Sequence, residues 1–115
     1  MTKIKDTETA LLIFEESALK HAEATQQGDY KTANKSYALI IRVITYLKKQ
    51  DAMQSLFQFL NHSSDGVKGW AATYLLPIEE KKAIRALEEI AKGTGIRSLA
   101  AETTLIEWKK GNLTL

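Results

Sequence analysis

The run Asp65-Gly66-Val67-Lys68-Gly69-Trp70-Ala71-Ala72-Thr73-Tyr74-Leu75 decides the fold. An acid opens it, an aliphatic and a basic residue follow, and then come two adjacent alanines and a leucine. Adjacent small residues let helices approach closely, while the aliphatic and leucine positions fill the space between them. The run has a second copy downstream. Val67-Lys68 and Ala71-Ala72 align with Ile96-Arg97 and Ala100-Ala101 at an offset of 29. Leu56 and Phe59 align with Leu87 and Ile90 at an offset of 31, and the loop absorbs the difference. A helix-loop-helix unit is thus repeated over residues 52–76 and 83–106. In the second copy Thr104 takes the leucine position and Leu105 follows it, which marks the last pair as a terminal cap.

Working outward, apolar residues recur at helical spacing almost everywhere, and no stretch alternates long enough for a strand. A first helix is predicted over Thr7–Gln27, with Leu11, Phe14, Ala18 and Ala22 inward and Leu12 and Leu19 widening the stripe. Gly28 suits its left-handed end, and Asp29 suits the cap of a second helix over Tyr30–Lys49. At roughly 100° per residue, Lys31, Lys35, Arg42 and Lys49 share one line of that helix. Ala33, Tyr37, Ile40, Ile44 and Leu47 lie opposite, and Asn34 sits at their border. Asp51 and Gln54 resemble a capping box for a short third helix with Met53, Leu56, Phe57 and Leu60 inward. Asp65 is the expected cap of a fourth helix ending near Leu76. Pro77 suits the first turn of a fifth, which carries Ile84, Leu87 and Ile90 inward and stops at Lys92-Gly93. Thr94 or Gly95 opens a sixth helix, with Ile96, Leu99, Ala100, Thr103 and Ile106 inward, and Lys109-Lys110-Gly111 closes it.

The chain of 115 residues is long enough for one compact domain and too short for two. With 44 % hydrophobic and 26 % charged residues it has the composition of a folded protein. It contains no cysteine, which excludes disulfides, thiolate metal sites and a cysteine nucleophile together. A net charge of +2 does not by itself imply nucleic acid. The polar start of the chain and the short apolar run from Ala10 to Phe14 fit neither a secretory signal nor a membrane span. A cytoplasmic location is the expectation.

No catalytic constellation stands out. His21 has no second histidine or carboxylate one turn away, and His62 is expected to make a hydrogen bond within the loop before Asp65. Glu15-Glu16, Glu79-Glu80 and Glu88-Glu89 are adjacent pairs, whose side chains diverge by about 100° on a helix. Lys92-Gly93-Thr94-Gly95 lacks the strand and the Gly-Lys-Ser/Thr of a phosphate loop and reads as a helix connection. No cofactor or metal is expected. A small enzyme assembled from separated helices remains an alternative class, recognisable by perturbed titratable groups around a deep pocket.

The run at 65–75 resembles the HEAT-type pattern. More broadly, Gly28-Asp29, Ala33-Asn34-Lys35, His62, Asp65, Val67, Trp70 to Pro77, and Glu107-Trp108-Lys109-Lys110-Gly111-Asn112-Leu113 resemble a small bacterial HEAT-like family of unknown function. The resemblance covers roughly residues 27–113. It implies an α-α superhelix of the HEAT/armadillo kind without established enzyme activity, and some related HEAT-like proteins resemble immunity proteins that neutralise a neighbouring toxin. The expectation is therefore a single all-α domain over residues 1–115. It has about six helices, as a long N-terminal hairpin followed by two short helix pairs. It would serve as a non-catalytic module for an unidentified protein partner. Lys68, Thr73, Arg97, Glu102, Asn34 and Trp70 are the candidate partner-binding residues. The stripe Lys31, Lys35, Arg42 and Lys49 is the candidate electrostatic surface. It would attract an acidic protein or, as the weaker alternative, nucleic acid. A monomer or weak homodimer is expected.

Overall fold

Asp6 opens the first helix by accepting the Thr9 backbone N–H at 2.7 Å. The computed structural model describes residues 3–115; Met1 and Thr2, at the head of the polar N-terminal stretch, lie outside the described residues. Helix α1 spans Thr7–Gln27 and α2 spans Tyr30–Lys49, the bounds read from the sequence. Between them Gly28 adopts φ 73°, a left-handed conformation that costs an L side chain energy and glycine almost none. Its N–H reaches Thr25 O at 3.3 Å, and the Asp29 N–H reaches Ala24 O at 2.8 Å. Asp29 then caps α2 through the Thr32 N–H at 3.2 Å and the Thr32 hydroxyl at 2.7 Å.

Helix α2 ends with the same pair of backbone bonds, from Asp51 N to Lys48 O at 3.2 Å and from Ala52 N to Leu47 O at 2.8 Å. Here the left-handed residue is Asp51, with φ 52°. Asp51 therefore terminates α2 instead of capping a third α-helix. The next segment, Met53–Phe59, is a 3₁₀ helix and not the α-helix expected. Its bonds run three residues back, as in Ser55 N to Ala52 O at 3.0 Å. At three residues per turn the same face returns every third position, so Met53, Leu56 and Phe59 are buried, while Phe57 and Leu60 are only half-buried.

Helix α3 spans Asp65–Leu75, α4 spans Glu80–Ala91 and α5 spans Ile96–Lys109. Among the described residues every regular element is helical. The cap of α3 is Ser64, one residue before the expected Asp65, which instead lies in the first turn and complements the helix dipole. Pro77 stands in the turn between α3 and α4, closed by Ile78 N and Glu79 N on Leu75 O, and α4 begins only at Glu80.

The chain forms two compact units, Met1–Leu56 and Phe57–Leu115. In the first, α1 and α2 form an antiparallel hairpin. In the second, α4 packs against both α3 and α5, and α3 also meets α5. At Gly69 the helices approach closely enough that an added Cβ would sit 3.6 Å from Ile90 Cδ1. Val67, Ala71, Ala72, Leu75, Ala83, Ala86, Leu87 and Ile90 are buried around that contact.

The inward faces differ from expectation on three helices. In α1 the buried residues are Ala10, Ile13, Phe14, Ser17, Ala18 and Ala24, whereas Leu12 and Leu19 are 62 % and 43 % exposed. In α2 Ser36 and Val43 are buried and Tyr37 is exposed. In α5 the stripe is reversed: Ser98 and Ala101 are buried, and Ile96, Leu99, Ala100, Thr103 and Ile106 face outward. That helix carries a second apolar arc of Ala101, Leu105 and Trp108. The smaller residues on it, Ser98 and Ala101, permit the closer approach to α4.

Candidate partner-binding surface

The candidate residues on α3 are largely committed to the fold. Lys68 is 13 % exposed in its side chain, and its Nζ donates to Glu89 Oε2 on α4 at 2.8 Å. That hydrogen bond, with the lysine charge behind it, holds the Glu89 carboxyl below the usual carboxylate range. Lys68 is thus a strap between two helices. Thr73 is half-buried, and its hydroxyl donates to Gly69 O within the same helix at 2.8 Å. Trp70 stacks on Tyr74 one turn away, with ring centroids 6.1 Å apart and planes 10° from parallel. Both rings are half-buried.

On α5, Arg97 is half-buried and Glu102 is exposed. Beside Glu102 runs the outward stripe, in which Ile96, Leu99 and Ile106 are 48 %, 66 % and 43 % exposed. Trp108, on the opposite side of the helix, donates from Nε1 to Glu80 Oε2 at 2.7 Å and ties α5 to the start of α4. Asn34 is exposed on α2, as are Lys31, Lys35, Arg42 and Lys49. Asn34 and this basic row belong to the hairpin, whereas the other candidates belong to the second unit.

His62 does make the expected loop bond: its Nδ1 accepts the Ser64 N–H at 2.9 Å, beside the ring of Phe59. His21 is half-buried on α1, and burial pushes its pKa below the ordinary histidine value. Among the described residues no three His, Cys, Asp or Glu side chains converge in a way that could hold a metal ion.

The whole fold recurs in a solved structure. It matches the crystal structure of the protein RPA1889 from Rhodopseudomonas palustris CGA009 with a TM-score of 0.88, over 98 % of this chain and 99 % of that chain. Sequence identity is 18 %, so the likeness shows the fold alone. No family model matches the chain, and no curated protein is detectably similar to it. No described helix is long and apolar enough to cross a membrane.

The α5 stripe, Trp108–Glu80 and Lys68–Glu89 escaped the sequence reading for different reasons. Both contacts join residues 28 and 21 positions apart, on helices whose mutual rotation the sequence does not state. The α5 stripe was visible as a stripe, but its direction depended on which of two apolar arcs met α4.

Proposed function

We propose that the chain is a non-catalytic protein-binding module of the HEAT-like kind, acting in the cytoplasm as an immunity or regulatory partner of a neighbouring gene product. The observation that carries this reading is the outward apolar stripe Ile96, Leu99 and Ile106 on α5, rimmed by Glu102. A row of exposed apolar side chains with polar neighbours is the usual make-up of a protein interface. The family resemblance of the 65–75 run supplies the class of partner. Lys68 acts from beneath, strapping α3 to α4, while the Thr73 hydroxyl is taken up within α3, and Leu99, Glu102 and Arg97 are the residues in a position to touch a partner.

The test is co-purification of the chain with each product encoded beside it. A double variant, Leu99→Glu with Glu102→Lys, lies on an exposed face and leaves helicity intact. It is expected to weaken capture by about tenfold or more, as for the centre of an interface. Absence of binding by every neighbour, or capture unchanged in the double variant, overturns the reading.

A further inference from the structure

The hairpin carries two outer faces of opposite charge. Helix α1 contains Glu8, Glu15, Glu16 and Glu23 against the one cation Lys20. Helix α2 contains Lys31, Lys35, Arg42, Lys48 and Lys49 and no acid at all. Lys20 pairs with Glu16 at 3.1 Å on the surface. Among the described residues the five cations of α2, and Glu8 and Glu23 of α1, form no ion pair.

Each face also has relief. At roughly 100° per residue, Leu12 and Leu19 form a narrow ridge on α1, with Glu16 and Glu23 along one flank and Glu8 on the other. On α2, Tyr30 and Tyr37, 80 % and 47 % exposed, make one ridge, and Lys31, Lys35, Arg42 and Lys49 make another. Between the ridges lie the smaller exposed side chains Asn34, Ala38 and Thr45. Thr45 donates its hydroxyl to Ile41 O at 2.9 Å, which satisfies that polar group within the helix. The α2 face is therefore a shallow groove with an aromatic wall and a cationic wall. The spacing matches on both sides: Leu12 to Leu19, Glu16 to Glu23, Tyr30 to Tyr37, Ala38 to Thr45 and Lys35 to Arg42 are all seven residues apart. Seven-residue spacing is the repeat with which side chains of one helix seat between those of another over several turns.

We propose that these faces form a self-association surface, in which the Leu12–Leu19 ridge of one copy lies in the α2 groove of a second copy and the reverse contact forms by two-fold symmetry. Glu16 and Glu23 then face the Lys35–Arg42 wall, and the leucines cover Ala38 and Thr45. A two-fold pairing uses both faces of each hairpin at once, so neither is left open for a third copy. Two narrow helix contacts stand at the small end of specific interfaces, and the charges sit at the rim. The dimer is therefore weak and sensitive to salt. This proposal uses α1 and α2 and stands apart from the α5 reading above.

Sedimentation of the purified chain tests it. A monomer–dimer equilibrium is expected at low salt, with the dissociation constant rising about tenfold or more at about 0.5 M salt, where exposed charges are screened within a few ångströms. Two charge-reversed proteins sharpen the test: Glu8→Lys, Glu16→Lys and Glu23→Lys together make both faces basic, and Lys31→Glu, Lys35→Glu and Arg42→Glu together make both acidic. Each alone is expected to be monomeric, and an equimolar mixture to form a heterodimer; circular dichroism verifies that both stay helical. A wild-type chain that remains monomeric at low salt and millimolar concentration overturns the proposal. So does a mixture that fails to associate. Salt-sensitive binding of a nucleic-acid duplex to α2 by a chain that stays monomeric also overturns it.

Discussion

Gly28 and Asp51 occupy equivalent positions at the ends of α1 and α2, each with the same two backbone bonds and each left-handed. One is the residue that such a turn favours and the other is not. No atom lies within 4 Å of a Cβ built on Gly28, so the cost of a side chain there is backbone strain alone. Gly28→Ala is expected to lower stability by about 1–2 kcal/mol. Asp51→Gly removes the same kind of strain at the other end of α2 and gives up some unfolded-state rigidity, so it is expected to raise stability by about 0.5–1 kcal/mol. Urea denaturation of both variants checks this, and a destabilised Asp51→Gly would show that the aspartate side chain stabilises the turn by more than its backbone strain costs. The sequence marked Gly28 plainly. It hid Asp51, because Asp followed three residues later by Gln is also the signature of a helix start, and the choice depended on which way the bonds ran.

Among the elements, the 3₁₀ segment and α5 show how local pattern and packing part company. Met53, Leu56 and Phe59 lie on one face only at three residues per turn; at 3.6 the face shifts to Phe57 and Leu60. Residues this few, all compatible with either winding, do not choose between them, and burial does. In α5 the choice is between two apolar arcs. Leu99→Lys, on the outward arc, is expected to change stability by less than about 0.5 kcal/mol. Ala101→Asp, on the arc against α4, buries an unpaired carboxylate and is expected to cost about 3 kcal/mol or more. Thermal melts followed by circular dichroism distinguish them. Equal losses would mean that both arcs are packed.

For the molecule as a whole, acid is the expected weakness. Hydrogen bonds from Thr9 and Thr32 hold the Asp6 and Asp29 carboxyls below their ordinary value of 3.8, and the Lys68 bond does the same for Glu89 from 4.5. Burial pushes His21 below 6.5. All four shifts are downward, so the unfolded chain takes up protons before the folded one does as pH falls. Stability is fully present above pH 6.5, starts to fall below it through His21, and falls further below 4.5 as the three carboxylates protonate. The urea midpoint should decline monotonically from pH 7.5 to 3.5, and His21→Gln should flatten only the upper part of that fall. A midpoint that rises between pH 7 and 5.5 would contradict the sign. At this scale the division of labour is clear. Apolar spacing, caps and glycines were enough to determine that the described residues are all-helical and open on a long hairpin, because helix formation and helix ends depend on residues within a few positions of each other. The basic row of α2 was legible too, since no apolar alternative competed for that side. The direction of α5, the winding of 53–59 and the roles of Lys68 and Trp108 were decided only in the tertiary structure, because each depends on the shape and charge of a helix distant in sequence.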